Sequence, residues 1–126
     1  MMNQKTILTI GAIAGALGVA IGAFGAHGLK EILAQTQRAD TFELAVRYQF
    51  YHTFAILMCG LLMDFFDAKK LRAAAILFGT GIVIFSGSLY ALSLTGIAML
   101  GAITPIGGLC LILGWIFLVL SFSKRK

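Results

Sequence analysis

Four long apolar runs fill most of this 126-residue chain: Ile7–Ala26, Leu44–Met63, Leu71–Leu94 and Thr104–Phe122. A helix rises about 1.5 Å per residue, so an apolar run near twenty residues crosses a hydrocarbon core of about 30 Å. The pattern predicts an all-α membrane protein: a four-transmembrane-helix bundle in a single integral membrane domain over residues 1–126. The spans are expected at about 6–26, 42–64, 71–94 and 104–122. Class and location follow from these runs; the chemistry does not.

Hydrophobic residues make up 60% of the chain and charged residues 12%. Soluble domains have nearer half and a quarter, so no water-soluble domain fits beside four spans. Cys59 and Cys110 both fall inside apolar runs, without CxxC or metal-ligand spacing. Each reads as a small buried hydrophobe, and neither a disulfide nor a redox compartment is inferred.

The net charge of +5 is not read as a nucleic-acid signal, because the cations are placed asymmetrically. Lys5, Lys69, Lys70, Arg72, Lys124, Arg125 and Lys126 flank one side of a four-span arrangement; Lys30, Arg38 and Arg47 flank the other. This split, seven against three, predicts both termini and the Asp64–Arg72 loop in the cytoplasm. The basic ends then face anionic headgroups of the lipid bilayer, each cation gaining about 1 kcal/mol near the surface. Lys5 and the run after it resemble a signal peptide, but the run exceeds the roughly 7–15 residues of such a segment. It reads as a retained span, with cleavage near Gly25–Ala26 as the alternative.

Gly11, Gly15, Gly18, Gly22 and Gly25 recur at spacings of four and three, which places them on one helix face. Such a stripe lets backbones approach, and close van der Waals contact then holds helices together in lipid. It reads as a packing face within one bundle, or alternatively as a homo-oligomer interface. Leu29–Gln37 reads as a short interfacial helix in the first outer loop. Asp40 is expected to cap the second span with Glu43 in a capping box, and Glu43 to pair with Arg47 at i,i+4. Thr104-Pro105 is expected to start the last helix as cap and first helical residue; a longer helix from Ile97, kinked at Pro105, is the alternative.

The polar residues gather in the outer half. His27 ends the first span, and Arg47, Tyr48, Gln49 and His52 open the second. Ser86, Tyr90 and Ser93 share a face of the third, and Thr104 opens the fourth. These nine form a candidate polar pocket. Polar groups in hydrocarbon need partners, so Tyr48, Gln49 and His52 are expected to meet Ser86 and Tyr90 across the bundle, with His52 neutral. Two readings are open: a hydrogen-bond patch that sets helix register, or a proton- or ligand-binding pocket open to the outside.

Specific chemistry finds little support. Two histidines lack a third ligand, and neither HExxH nor GxGxxG occurs. Ser86-Gly87-Ser88 lies in a helical run rather than on a strained elbow, and no acid sits at that depth to orient a base. No metal, cofactor or enzymatic activity is expected. A pore is also poorly supported, since the polar stripe stops halfway across.

Three segments carry a family resemblance. They are Gly22-Ala23-Phe24-Gly25-Ala26-His27-Gly28-Leu29, Tyr48-Gln49-Phe50-Tyr51-His52-Thr53-Phe54-Ala55, and Phe85-Ser86-Gly87-Ser88-Leu89-Tyr90-Ala91-Leu92 with Leu100–Gly108 and Gly114-Trp115. The chain closely resembles the YgdD-like small inner-membrane proteins, domain-of-unknown-function family 423, to which eukaryotic transmembrane protein 256 is similar. The resemblance implies a multi-pass protein of the bacterial cytoplasmic membrane and carries over no substrate or catalytic residue. The expected role is a small structural or accessory protein acting through helix contacts with itself or a larger membrane complex. The alternative is a small transporter or proton-linked channel subunit.

Overall fold

The computed structural model describes residues 1–126. It contains five helices: α1 (Gln4–His27), α2 (Lys30–Thr36), α3 (Ala39–Leu62), α4 (Ala68–Thr95) and α5 (Thr104–Ser121). There is no sheet, only one isolated bridge between Phe66 and Arg125. Three segments are long and apolar enough to cross a membrane: α1, α4, and α5 together with the 3-10 turn Ala98–Ala102 before it. The other long helix, α3, matches α1 at 24 residues, but its first half carries Asp40, Glu43, Arg47 and Gln49, with His52 just beyond.

The four long helices alternate in direction and pack in chain order, α1 on α3, α3 on α4, and α4 on α5. The Gln4 side chain donates to the Gly60 carbonyl at 3.0 Å, so α1 begins where α3 ends. Both termini close over the turn between α3 and α4. The Lys126 amide donates to the Phe65 carbonyl at 2.8 Å, and the Arg72 Nε donates to the Met2 carbonyl at 2.7 Å. At the opposite end α2 is pinned to α4, where the Thr36 hydroxyl donates to the Ser93 carbonyl at 2.7 Å.

The glycine stripe of α1 is filled from within the chain. Phe42, Val46, Phe50, Thr53 and Leu57 of α3 lie over Gly25, Gly22, Gly18, Gly15 and Gly11 in turn. A Cβ at Gly18 would stand 2.9 Å from the Phe50 ring and one at Gly11 2.6 Å from Leu57, so at these positions the facing side chain would have to shift, whereas at Gly15 and Gly22 a methyl group would make ordinary contact. Lipid offers little hydrophobic drive for helix association, and shape-matched contact supplies it instead. The α4–α5 interface repeats the device with the roles mixed: Phe78 sits over Gly114, Leu111 over Gly81, and the Phe85 backbone against Gly107. A π turn at Ile82–Ser86 interrupts α4 there. Such a turn inserts one residue into the helix and re-aims the side chains beyond it.

The interior is built on Ile7, Ile56, Cys59, Leu71 and Phe78, all essentially inaccessible. Outside, large apolar residues are exposed on every long helix, including Leu17, Phe54, Val83 and Val119. An apolar surface of this extent is matched to lipid rather than water.

The helix ends differ from the expected boundaries and caps more than the runs do. Asp40 does not cap α3: the helix begins at Ala39 after Arg38, with no side-chain cap, and Asp40 lies in the first turn. Its carboxylate favours the positive helix end without closing a capping box. Glu43 and Arg47 form no ion pair; the single ion pair is Lys70–Asp67 at 3.8 Å. Asp67 is a true cap, accepting from the Lys69 and Lys70 amides at 3.1 and 3.2 Å. This cap starts α4 at Ala68, three residues before the expected boundary at 71. The last helix begins at Thr104, with Pro105 in its first turn. Thr104 lies inside that turn and does not cap it, because its hydroxyl is bonded to Ser88 at 2.7 Å.

Candidate functional site

The nine candidate polar residues do not make one pocket. They separate into short bridges at the helix contacts and an exposed group at one end.

The central bridge joins three helices. Tyr90 of α4 donates its hydroxyl to Gln49 Oε1 at 2.6 Å, and Gln49 Nε2 donates to the Ala14 carbonyl of α1 at 2.9 Å. Gln49 is 4% exposed, so both ends of its amide are satisfied away from solvent. One turn outward along α4 the Ser93 hydroxyl bonds its own helix at Tyr90, while Ser86 donates to the Ala45 carbonyl of α3 at 2.7 Å. Ser86 and Tyr90 thus serve the α3 side of α4, Ser93 accepts from Thr36 of α2 at its carbonyl, and Ser88 turns to α5 and meets Thr104. Tyr48 is half-buried and stacks on Phe85, with ring centroids 4.7 Å apart.

His52 is buried, as its polar face demanded, but not beside Ser86 or Tyr90. It packs near Phe78, two turns lower on α4, and against Trp115 of α5. The Trp115 indole N–H donates to His52 Nε2 at 3.1 Å, and His52 Nδ1 lies 2.7 Å from the Tyr48 carbonyl. An indole nitrogen only donates and a carbonyl only accepts, so the ring is the neutral Nδ1–H tautomer. Trp115 does not stand out in the sequence as a polar partner because it sits in an apolar run as an aromatic. Its lone indole N–H, which must find an acceptor when it leaves water, was the available signal.

His27 and Arg47 stand apart. Both are exposed, at the end of the molecule where α1, α2 and the start of α3 meet. Thr53 is the single buried side chain whose polar atom finds no partner. Chemically the interior offers hydrogen bonds between helices, with no exposed nucleophile beside a base. No group of three or more His, Cys, Asp or Glu is placed to hold a metal ion.

A family model described as "Protein of unknown function (DUF423)" matches residues 21–108, which include Gln49 and Tyr90 of the central bridge, His52 and Ser88. The UPF0382 membrane protein SH2409 of Staphylococcus haemolyticus is 43% identical, over 96% of this chain and 98% of its own. The UPF0382 membrane protein YwdK of Bacillus subtilis is 40% identical over the same shares. A UPF0382 membrane protein of Haemophilus influenzae is 40% identical over 98% of both chains. No solved structure matches the chain. An apolar exterior, helices of membrane-crossing length and this near-full-length similarity agree, and the chain belongs to the DUF423 family of membrane proteins.

Proposed function

We propose that this protein crosses the bacterial cytoplasmic membrane four times, with both termini in the cytoplasm and α2 on the outer interface. In this reading it is not an enzyme. It acts as a small structural or accessory protein, through helix contacts with a larger membrane complex or with further copies of itself.

The observation that carries this reading is the destination of the interior hydrogen bonds. Gln49, Ser86, Ser88 and Trp115 each reach across to another helix. Groups committed to register in this way favour a rigid bundle over a relay or a permeation path. The orientation is supported by charge: Lys5, Arg72 and Lys124–Lys126 lie at the end where the termini meet the α3–α4 turn. The glycine stripe of α1 is taken by α3, so contacts with other proteins fall to the lipid-facing surfaces.

Crosslinking in native membranes, followed by mass spectrometry of co-purifying proteins, tests the role. A stoichiometric protein partner is expected. Ion or solute flux in liposomes containing this protein alone would overturn it in favour of a transporter or channel subunit. Reporter fusions at Lys126 and after Gln37 test the orientation, with a cytoplasmic signal expected only at Lys126.

A further inference from the structure

A cleft of about 460 Å³ opens between α1, α2 and the first turns of α3. Gly22, Ala26, Phe42 and Val46 line it with apolar surface, and Lys30, Glu43 and Arg47 stand around it. All three charged side chains are exposed. None is held by the protein, whose one ion pair, Lys70–Asp67, lies at the opposite end.

The depth of Arg47 gives this cluster its meaning. It is eight residues into α3, about 12 Å below the helix start. The 24 residues of α3 extend about 36 Å, only some 6 Å more than the hydrocarbon they cross. Arg47 therefore starts from within the acyl region and must snorkel outward to an anion or to water. Glu43, one turn nearer the surface, does not supply that anion, since the two side chains do not meet.

We propose that this cleft binds one phospholipid of the outer leaflet, an aminophospholipid such as phosphatidylethanolamine. The inference rests on α3 spanning the bilayer. The phosphodiester lies between Lys30 and the Arg47 guanidinium, whose planar fork matches phosphate oxygens. The head amine faces the Glu43 carboxylate. An acyl chain follows the floor of Gly22, Ala26, Phe42 and Val46 downward. Two cations and one carboxylate complement a head that carries one phosphate and one amine. The apolar floor selects a lipid over a free phosphate, which would find no partner there.

Native mass spectrometry of the detergent-solubilised protein, titrated with lipids of identical chains, tests this. One phosphatidylethanolamine adduct per chain is expected, several-fold tighter than phosphatidylglycerol, and Glu43→Gln should remove that preference. Lys30→Gln with Arg47→Gln should weaken the adduct by about tenfold or more, as loss of charge-assisted phosphate contacts would. Ala26→Trp, which fills the floor and keeps both cations, should do the same. Lys124→Gln with Arg125→Gln, at the far end, should change nothing. Equal binding of diacylglycerol, equal binding of phosphatidylglycerol, or an undiminished adduct in the Lys30 and Arg47 double variant would overturn the proposal. So would displacement of the lipid by soluble glycerophosphoethanolamine at matched concentration. Cysteine labelling at Gln37 reports the spanning of α3 separately, so an outward label with no adduct sinks the lipid site alone.

Discussion

Trp115 on α5 donates its indole hydrogen to Nε2 of His52 on α3, at 3.1 Å, although α3 and α5 share little other contact. The bond crosses beside Phe78 of α4, whose ring lies 5.1 Å from Trp115 and 5.6 Å from His52 between centroids. One hydrogen bond thus ties two helices that each pack mainly on α4.

Replacing this acceptor should cost stability in a graded way. His52→Gln retains an oxygen for the indole and should be tolerated, whereas His52→Leu should destabilise by about 0.6–1.7 kcal/mol, the range for interhelical bonds in membranes. Unfolding in mixed micelles, followed by Trp115 fluorescence, measures both. Equal losses would show that the bond contributes nothing beyond side-chain volume.

The glycines should rank by what a methyl group would meet. At Gly107 it would meet the Phe85 backbone, which cannot turn aside, so Gly107→Ala should cost about 1–3 kcal/mol through overpacking. At Gly18 it meets the far end of the Phe50 ring, which can shift, so Gly18→Ala should cost less and Gly18→Leu far more. Gly79 and Gly87 face open space, and Gly79→Ala should be neutral or stabilise by up to about 1 kcal/mol. Melting temperatures in detergent should follow this order.

Tyr90 and Gln49 should be energetically coupled. A double-mutant cycle with Tyr90→Phe and Gln49→Ala should give about 0.6 kcal/mol, because the Gln49 bond to Ala14 cancels between its arms. A coupling indistinguishable from zero would remove this bond from the forces that set the register of α4.

Thr53 hides a hydroxyl without a partner while its methyl group touches the Gly15 position. Thr53→Val keeps the methyl contact and removes the orphan, so it should stabilise the bundle by about 1 kcal/mol. A loss of stability in the same unfolding assay would mean that the hydroxyl is bonded in the membrane.

Asp67 should make stability fall in acid. Its carboxyl is held below the usual carboxylate range, first by the Lys70 backbone N–H and also by the Lys70 ammonium and the Lys69 N–H. A depressed folded value means that the cap contributes fully at neutral pH and is lost as pH falls below about 4, through that lower value. Asp67→Asn retains the cap geometry and should flatten this part of the pH profile. An unchanged profile would place the acid sensitivity elsewhere.

Much of the architecture was legible because bilayer thickness acts on run length. Ile7–Ala26, Leu71–Leu94 and Thr104–Phe122 correspond to α1, α4 and α5 within a few residues. The glycine periodicity marked a close-packed face before any partner was visible, since small residues in helical register let backbones approach. Gly107 and Gly114 carried the same signal seven residues apart on α5 and went unread, as did the matching demand for large side chains opposite them.

The pairings belonged to tertiary structure. Spacing placed Tyr48, Gln49 and His52 on one face, but a face has width, and neighbours on either side divide it. Gln49 went to Tyr90 and Ala14, while His52 went to Trp115. The π turn at Ile82–Ser86 rotated the rest of α4, sending Ser88 to Thr104 and away from α3, and no residue type announces such a turn. Length and polarity are properties of a segment and can be read along the chain. Partner choice depends on the distance and rotation between helices, which arise only when all of them pack at once.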